Sequence, residues 1–253
     1  MVFHQGHAGD FIASIDFIRG FVEQGFDVIA LAMPLLWRNR VAGDFVETEK
    51  FGPILVPPDL PNATDFHKYV NILSSEEVTA ERIFLEPPVV ALNYALSRQD
   101  FDFVGMAGLS GGGWTTTLVA AVDPRIQSSF QIAGSLPFYL RAVRPARDMG
   151  DFEQYGLPLY RIANYLELYL LAAAGNGRVH VQILNEHDPC CFDQPLAARY
   201  AGVLGGVMKQ EEIPGAFEFI LDDTHESHGV SRFAAEQILS ISLNQVPAES
   251  NVR

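Results

Sequence analysis

Five consecutive residues, Gly108-Leu109-Ser110-Gly111-Gly112, constrain this chain more than any other feature. They form a G-x-S-x-G motif. Before it, Phe101 to Ala107 reads as a buried strand; after it, Trp114, Leu118 and Val122 recur at helical spacing. A sharp strand-to-helix turn forces the serine into a strained backbone conformation and exposes its hydroxyl, while the flanking glycines let neighbouring chain pass close. The helix beginning there aims free N–H groups and the positive end of its dipole at negative charge developing beside the serine. An ordinary glycine-rich turn would share this composition. A phosphate loop would need the lysine of G-x-x-x-x-G-K, and none follows.

The rest of the chain repeats the alternation. Phe26–Met33, Ile126–Ala133, Val179–Leu184 and Phe217–Leu221 read as strands. Phe11, Ile15, Ile18 and Val22 predict a helix between an Asp10 cap and Gly25. Pro87 and Pro88 suit the first turn of another helix, continued by Val89, Leu92 and Leu96. Further helices are expected over 159–173 and 195–208, with a last one capped by Ser231. This pattern predicts a three-layer α/β/α sandwich around a mostly parallel sheet, with residues 1–253 as a single domain. Residues 34 to about 75, with prolines at 53, 57, 58 and 61, read as a long irregular excursion.

Composition narrows the function. A chain of 253 residues, 48% hydrophobic and 19% charged, can bury one large core and is not extensively disordered. Its formal charge of -14 repels nucleic acid and anionic lipid, so neither is an expected partner. No run approaches the length of a membrane span. The start, Met1-Val2-Phe3-His4, lacks the basic region of a signal peptide, which makes the cytoplasm the default compartment. Oligomeric state is left open. The two cysteines, Cys190 and Cys191, are adjacent and too close for an unstrained disulfide. They are expected to be buried thiols beside a functional loop.

A serine hydroxyl needs a base, and the base needs an orienting carboxylate. Asp188 follows the strand 179–184 in the turn Asn185-Glu186-His187-Asp188-Pro189, with Glu186 and Asp193 as alternatives. Two histidines lie in the loop between the last strand and the last helix. His228, followed by Gly229, is favoured as base, and His225 is the second choice. His225-Glu226-Ser227-His228 spaces its histidines three apart rather than the four of H-E-x-x-H, so no metal site is expected there.

These features resemble the α/β-hydrolase superfamily from residue 1 to about residue 245. The resemblance rests on the Gly108–Gly112 elbow, on the order Ser110, Asp188, His228, and on His4-Gln5-Gly6-His7-Ala8-Gly9. That early segment resembles the family's oxyanion loop, with Gln5 where histidine is usual. It implies the backbone N–H groups of His7 and Gly111 as oxyanion donors. The family usually has further strands before this loop, so the resemblance implies either a truncated start or a reduced version lacking the first N-terminal strands. Residues 135–174 fall where the family inserts a lid, and Leu136 to Leu140 would offer an apolar wall to an acyl group. The implied activity is serine hydrolysis of carboxylic esters or related acyl compounds, on a small-molecule substrate, without cofactor or metal. Two other readings remain open: a non-catalytic binding protein on the same fold, and a metal-dependent hydrolase built on the histidines.

Overall fold

Strands that are buried on both faces carry apolar or hydrogen-bonded side chains at every position, and helices must cover them. The computed structural model describes residues 1–39, 45–55, 67, 79–193 and 197–247. Within them, β1 (Val2–His4), β2 (Ile29–Leu31), β5 (Gly105–Leu109), β6 (Ser128–Ile132), β7 (Val179–Asn185) and β8 (Ala216–Asp222) form one sheet. Its order is β2-β1-β5-β6-β7-β8 and every pairing is parallel. A separate antiparallel hairpin, β3 (Phe45–Thr48) and β4 (Gly52–Leu55), lies in the stretch expected to be irregular. Residues 40–44, 56–66 and 68–75 of that excursion, including Pro57, Pro58 and Pro61, lie outside the described residues.

Alternation along the strands sorts the core into two layers. On one face, Phe3, Leu109, Phe130, Ile132 and Val181 pack beneath α1 (Ile15–Glu23) and α8 (Arg232–Gln245), through Phe17, Phe21, Ala234 and Ile238. The other face carries α2 (Ala80–Arg98), α3 (Gly111–Val122), α6 (Tyr165–Ala173) and α7 (Ala197–Gln210). This is the expected three-layer arrangement. Its ends are capped as the sequence suggests. Asp10 accepts from the Ile12 N–H at 2.9 Å at the 3-10 turn before α1, and Ser231 accepts from Ala234 N at 2.8 Å at the start of α8. Asn164 and Glu167 form a reciprocal capping box at α6.

Three expectations need correction. Pro87 and Pro88 lie inside α2, which begins at Ala80. Phe84, fully buried edge-on against Trp114, anchors the turn before the prolines and outweighs their missing N–H donors. The strand before the motif runs over Gly105–Leu109, so it reaches the serine itself, and Phe101 lies outside it. The segment after β6 is partly helical, with short α4 (Phe138–Arg141) and α5 (Pro145–Asp148), whereas the helix expected from residue 159 starts at Tyr165. Among the described residues no helix is long and apolar enough to cross a membrane.

Candidate active site

The motif serine adopts φ 55° and ψ -125° at the junction of β5 and α3. A non-glycine residue stays in that left-handed region only where its surroundings enforce it. Here the Ser110 N–H donates to the Ile132 carbonyl at 2.8 Å, and the Ser110 carbonyl accepts from Trp114 N at 3.0 Å. The glycines make room for the turn. A Cβ on Gly112 would lie 2.0 Å from the His4 carbonyl oxygen, and one on Gly6 would lie 2.6 Å from Ser110 Cβ. The segment Gln5-Gly6-His7 therefore lies directly against the elbow. Gln5 is buried and accepts from the Ser14 hydroxyl at 2.8 Å, so the residue that departs from the usual histidine is locked in place.

His228 and Asp188 meet: Nδ1 lies 2.7 Å from Asp188 Oδ2. Asp188 is 2% exposed, and its Oδ1 accepts from the backbone N–H groups of Cys190 at 2.8 Å and Cys191 at 3.2 Å. Burial opposes ionisation of Asp188, but His228 and these N–H donors outweigh it and lower its pKa from 3.8. Burial likewise disfavours the charged form of His228, yet the bond to Asp188 and its negative charge raise the ring above 6.5. Ser110 and His228 line the same two cavities, of about 350 and 570 Å³. The Ser110 hydroxyl and the His228 ring share these cavities without a hydrogen bond between them.

Of the alternative residues, the His225 and Asp193 side chains are engaged elsewhere. His225 hydrogen-bonds Ser227 Oγ at 2.8 Å and lies 3.6 Å from Asp222, outside both cavities. Asp193 is paired with Arg144 and Arg147, and the Glu186 N–H serves β8 through the Asp222 carbonyl. Leu136 and Leu140 are in the core, and Phe138 stacks edge-on with Tyr160 and Tyr165. The apolar wall expected from them is instead supplied to the larger cavity by Pro145, Ala146, Met149 and Phe192. The segment carrying those residues is tied to the acid loop: Arg147 donates to the Asp188 carbonyl, and Phe192 N–H donates to Asp148 at 2.7 Å. Cys191 is buried as expected, but Cys190 is exposed and borders the larger cavity.

Sequence reasoning missed a second cluster, which surrounds the His7 side chain. His7 Nε2 lies 2.7 Å from Glu153 Oε1 and 3.0 Å from His67 Nδ1, while His7 Nδ1 lies 3.1 Å from Asp151 Oδ2. His67 is also 3.2 Å from Glu153 Oε2 and 3.1 Å from the Pro34 carbonyl. Burial would raise the Glu153 carboxyl, but the two imidazoles outweigh it and hold the group ionised. His7, His67 and Glu153 stand far apart in sequence with no shared motif, so only the fold brings them together.

No protein-family model matches the sequence, and no curated protein matches it significantly. Solved structures do match. TT1662 from Thermus thermophilus aligns over 98% of this chain and 89% of its own, with a TM-score of 0.59 and 13% identity. An acetyl xylan esterase from Paenibacillus sp. R4 aligns over 96% of this chain and 73% of its own, with a TM-score of 0.54 and 15% identity. SOBER1 from Arabidopsis thaliana aligns over 97% and 98%, with a TM-score of 0.50 and 13% identity. At such identities the likeness speaks for architecture alone, and together with the parallel sheet flanked by helices it gives this chain the α/β-hydrolase fold.

Proposed function

We propose that the protein is a serine hydrolase that cleaves carboxylic esters of small-molecule acyl substrates. The observation that carries this reading is a strained Ser110 sharing its cavities with a His228 already bonded to a buried Asp188. Because His228 Nδ1 donates to Asp188, the neutral ring turns its Nε2 lone pair outward as a base. Ser110 Oγ attacks the ester carbonyl as Nε2 takes its proton. The tetrahedral oxyanion is received by the N–H groups of His7 and Gly111, each contributing on the order of 3 kcal/mol. The proton passes to the departing alcohol, leaving acyl-Ser110. Water, activated by the same ring, releases the acid and restores the serine.

Three further features support the substrate class. The larger cavity, about 570 Å³, suits a small molecule. Its lining combines apolar Met149 and Phe192 with polar groups near Ser110. One structural neighbour is an acetyl xylan esterase. The test is turnover of short- and long-chain aryl esters. Ser110→Ala should lower kcat by about three orders of magnitude or more with an unchanged circular dichroism spectrum. A variant that keeps most of its turnover would refute the nucleophile.

A further inference from the structure

Three buried donor groups, His7 Nε2, His67 Nδ1 and the Glu153 carboxylate, converge beside the elbow within reach of a single ion. The Pro34 carbonyl can only accept, so His67 Nε2 must carry its hydrogen, and a neutral ring then turns the Nδ1 lone pair inward. His7 Nδ1 lies 3.1 Å from the Asp151 carboxylate, so a neutral His7 with its hydrogen on that side turns its Nε2 lone pair toward the same point. The third group is the Glu153 carboxylate. Its Oε1 is fully buried and forms no hydrogen bond, although it lies 2.7 Å from His7 Nε2. Protonating one ring serves only part of the cluster. Protonating both rings sets two N–H groups against each other at the 3.0 Å separation of His7 and His67.

From this geometry we infer that His7 Nε2, His67 Nδ1 and Glu153 form a binding site for Zn²⁺. A divalent cation satisfies all three inward groups at once. Zinc bonds of about 2.0–2.2 Å at tetrahedral angles put ligand atoms roughly 3.3 Å apart, so the cluster needs to open by less than about 1 Å. The two outward neighbours are those that metal-bound histidines have: one ring faces a carboxylate, Asp151, and the other hydrogen-bonds a backbone carbonyl, Pro34. Two imidazoles and one carboxylate favour zinc over magnesium or calcium. Three protein ligands leave a fourth position for water. A second group, Asp188, Cys190, Cys191 and His228, also has donor atoms within 4.8 Å of one another. There the His228 proton already accounts for the Asp188 contact, so no cation is called for.

The ion would join three segments distant in sequence. The His7 ring also abuts the elbow, since a Cβ on Gly111 would lie 2.3 Å from His7 Cε1. Zinc therefore fixes the loop that carries the His7 N–H; this consequence alone rests on the hydrolase reading above. The test is metal content after equilibration of the intact protein with Zn²⁺ and desalting. About one equivalent should remain, disappear in His67→Ala and Glu153→Gln, and persist in Cys190→Ser. Zn²⁺ added to chelator-treated wild type should raise Tm by about 5 °C or more. Should the variants fail to fold, Co²⁺-loaded wild type still decides. Visible bands without a near-ultraviolet thiolate charge-transfer band support the site, and a strong thiolate band overturns it. Negligible zinc in wild type, or full retention in folded His67→Ala and Glu153→Gln, also overturns it. Fluorophosphonate labelling of Ser110 is scored separately, so failure of the metal site and failure of the hydrolase reading remain distinct.

Discussion

At residue scale the two loop histidines differ in what they touch, and that difference sets the expected kinetics. His228 meets Asp188 at 2.7 Å and shares cavities with Ser110, whereas His225 faces Ser227 and Asp222. His228→Ala should lose about as much activity as Ser110→Ala, and the double variant should be barely worse, because such residues act as a unit. His225→Ala should cost about tenfold or less. Equal losses from both histidines would contradict the assignment. The pH dependence follows from the same pair. A base must be neutral, so kcat/KM should fall on the acid side with a midpoint above 6.5, the ordinary histidine value. Asp188→Asn should move that midpoint down and cut kcat by roughly four orders of magnitude. The stability contribution runs the other way. The raised His228 pKa stabilises the fold fully below 6.5 and loses this as pH rises through the raised value. The lowered Asp188 pKa stabilises above 3.8 and loses this as pH falls through the lowered value. The pair thus supports the fold most between those values, where the base is largely switched off. Melting temperatures of wild type and Asp188→Asn across pH measure this: their gap should be widest in that interval and narrow on either side.

At the scale of elements, the turns around the serine are a place of close backbone approach. Gly112 touches the His4 carbonyl, so Gly112→Ala places a methyl where β1 ends and should cost about 3 kcal/mol or more. That corresponds to roughly 6–12 °C in Tm for a chain of this size. Gly205 lies inside α7 with open space around it, so Gly205→Ala should stabilise by about 0.5–1 kcal/mol. Similar melting shifts for both substitutions would mean that the elbow is looser than described. The same contrast explains what was legible in the sequence. The motif, the caps at Asp10 and Ser231 and the central strands carry local signals, so they could be read directly. The start of α2 could not, because long-range packing of Phe84 on Trp114 decides it. Nor could the wall of the larger cavity. The periodicity of Leu136 and Leu140 says that they are buried, but not that they face the core instead of the cavity.

Across the whole molecule, the fold was readable because alternating strands and helices with buried strands admit few arrangements. The candidate site divides differently. Ser110, Asp188 and His228 follow from chain order and loop position, whereas His67, Asp151 and Glu153 meet His7 only through tertiary structure. The exposed thiol of Cys190 is the main rival nucleophile. It borders the same cavity, and its hydrogen bond with Cys191 lowers its pKa to about 7. The central claim is therefore tested most directly by fluorophosphonate treatment followed by mass mapping of the modified peptide. The account predicts a single adduct on Ser110, unchanged in Cys190→Ser and abolished in Ser110→Ala and His228→Ala. An adduct on Cys190, or none on any residue of a folded protein that still turns over esters, would contradict it.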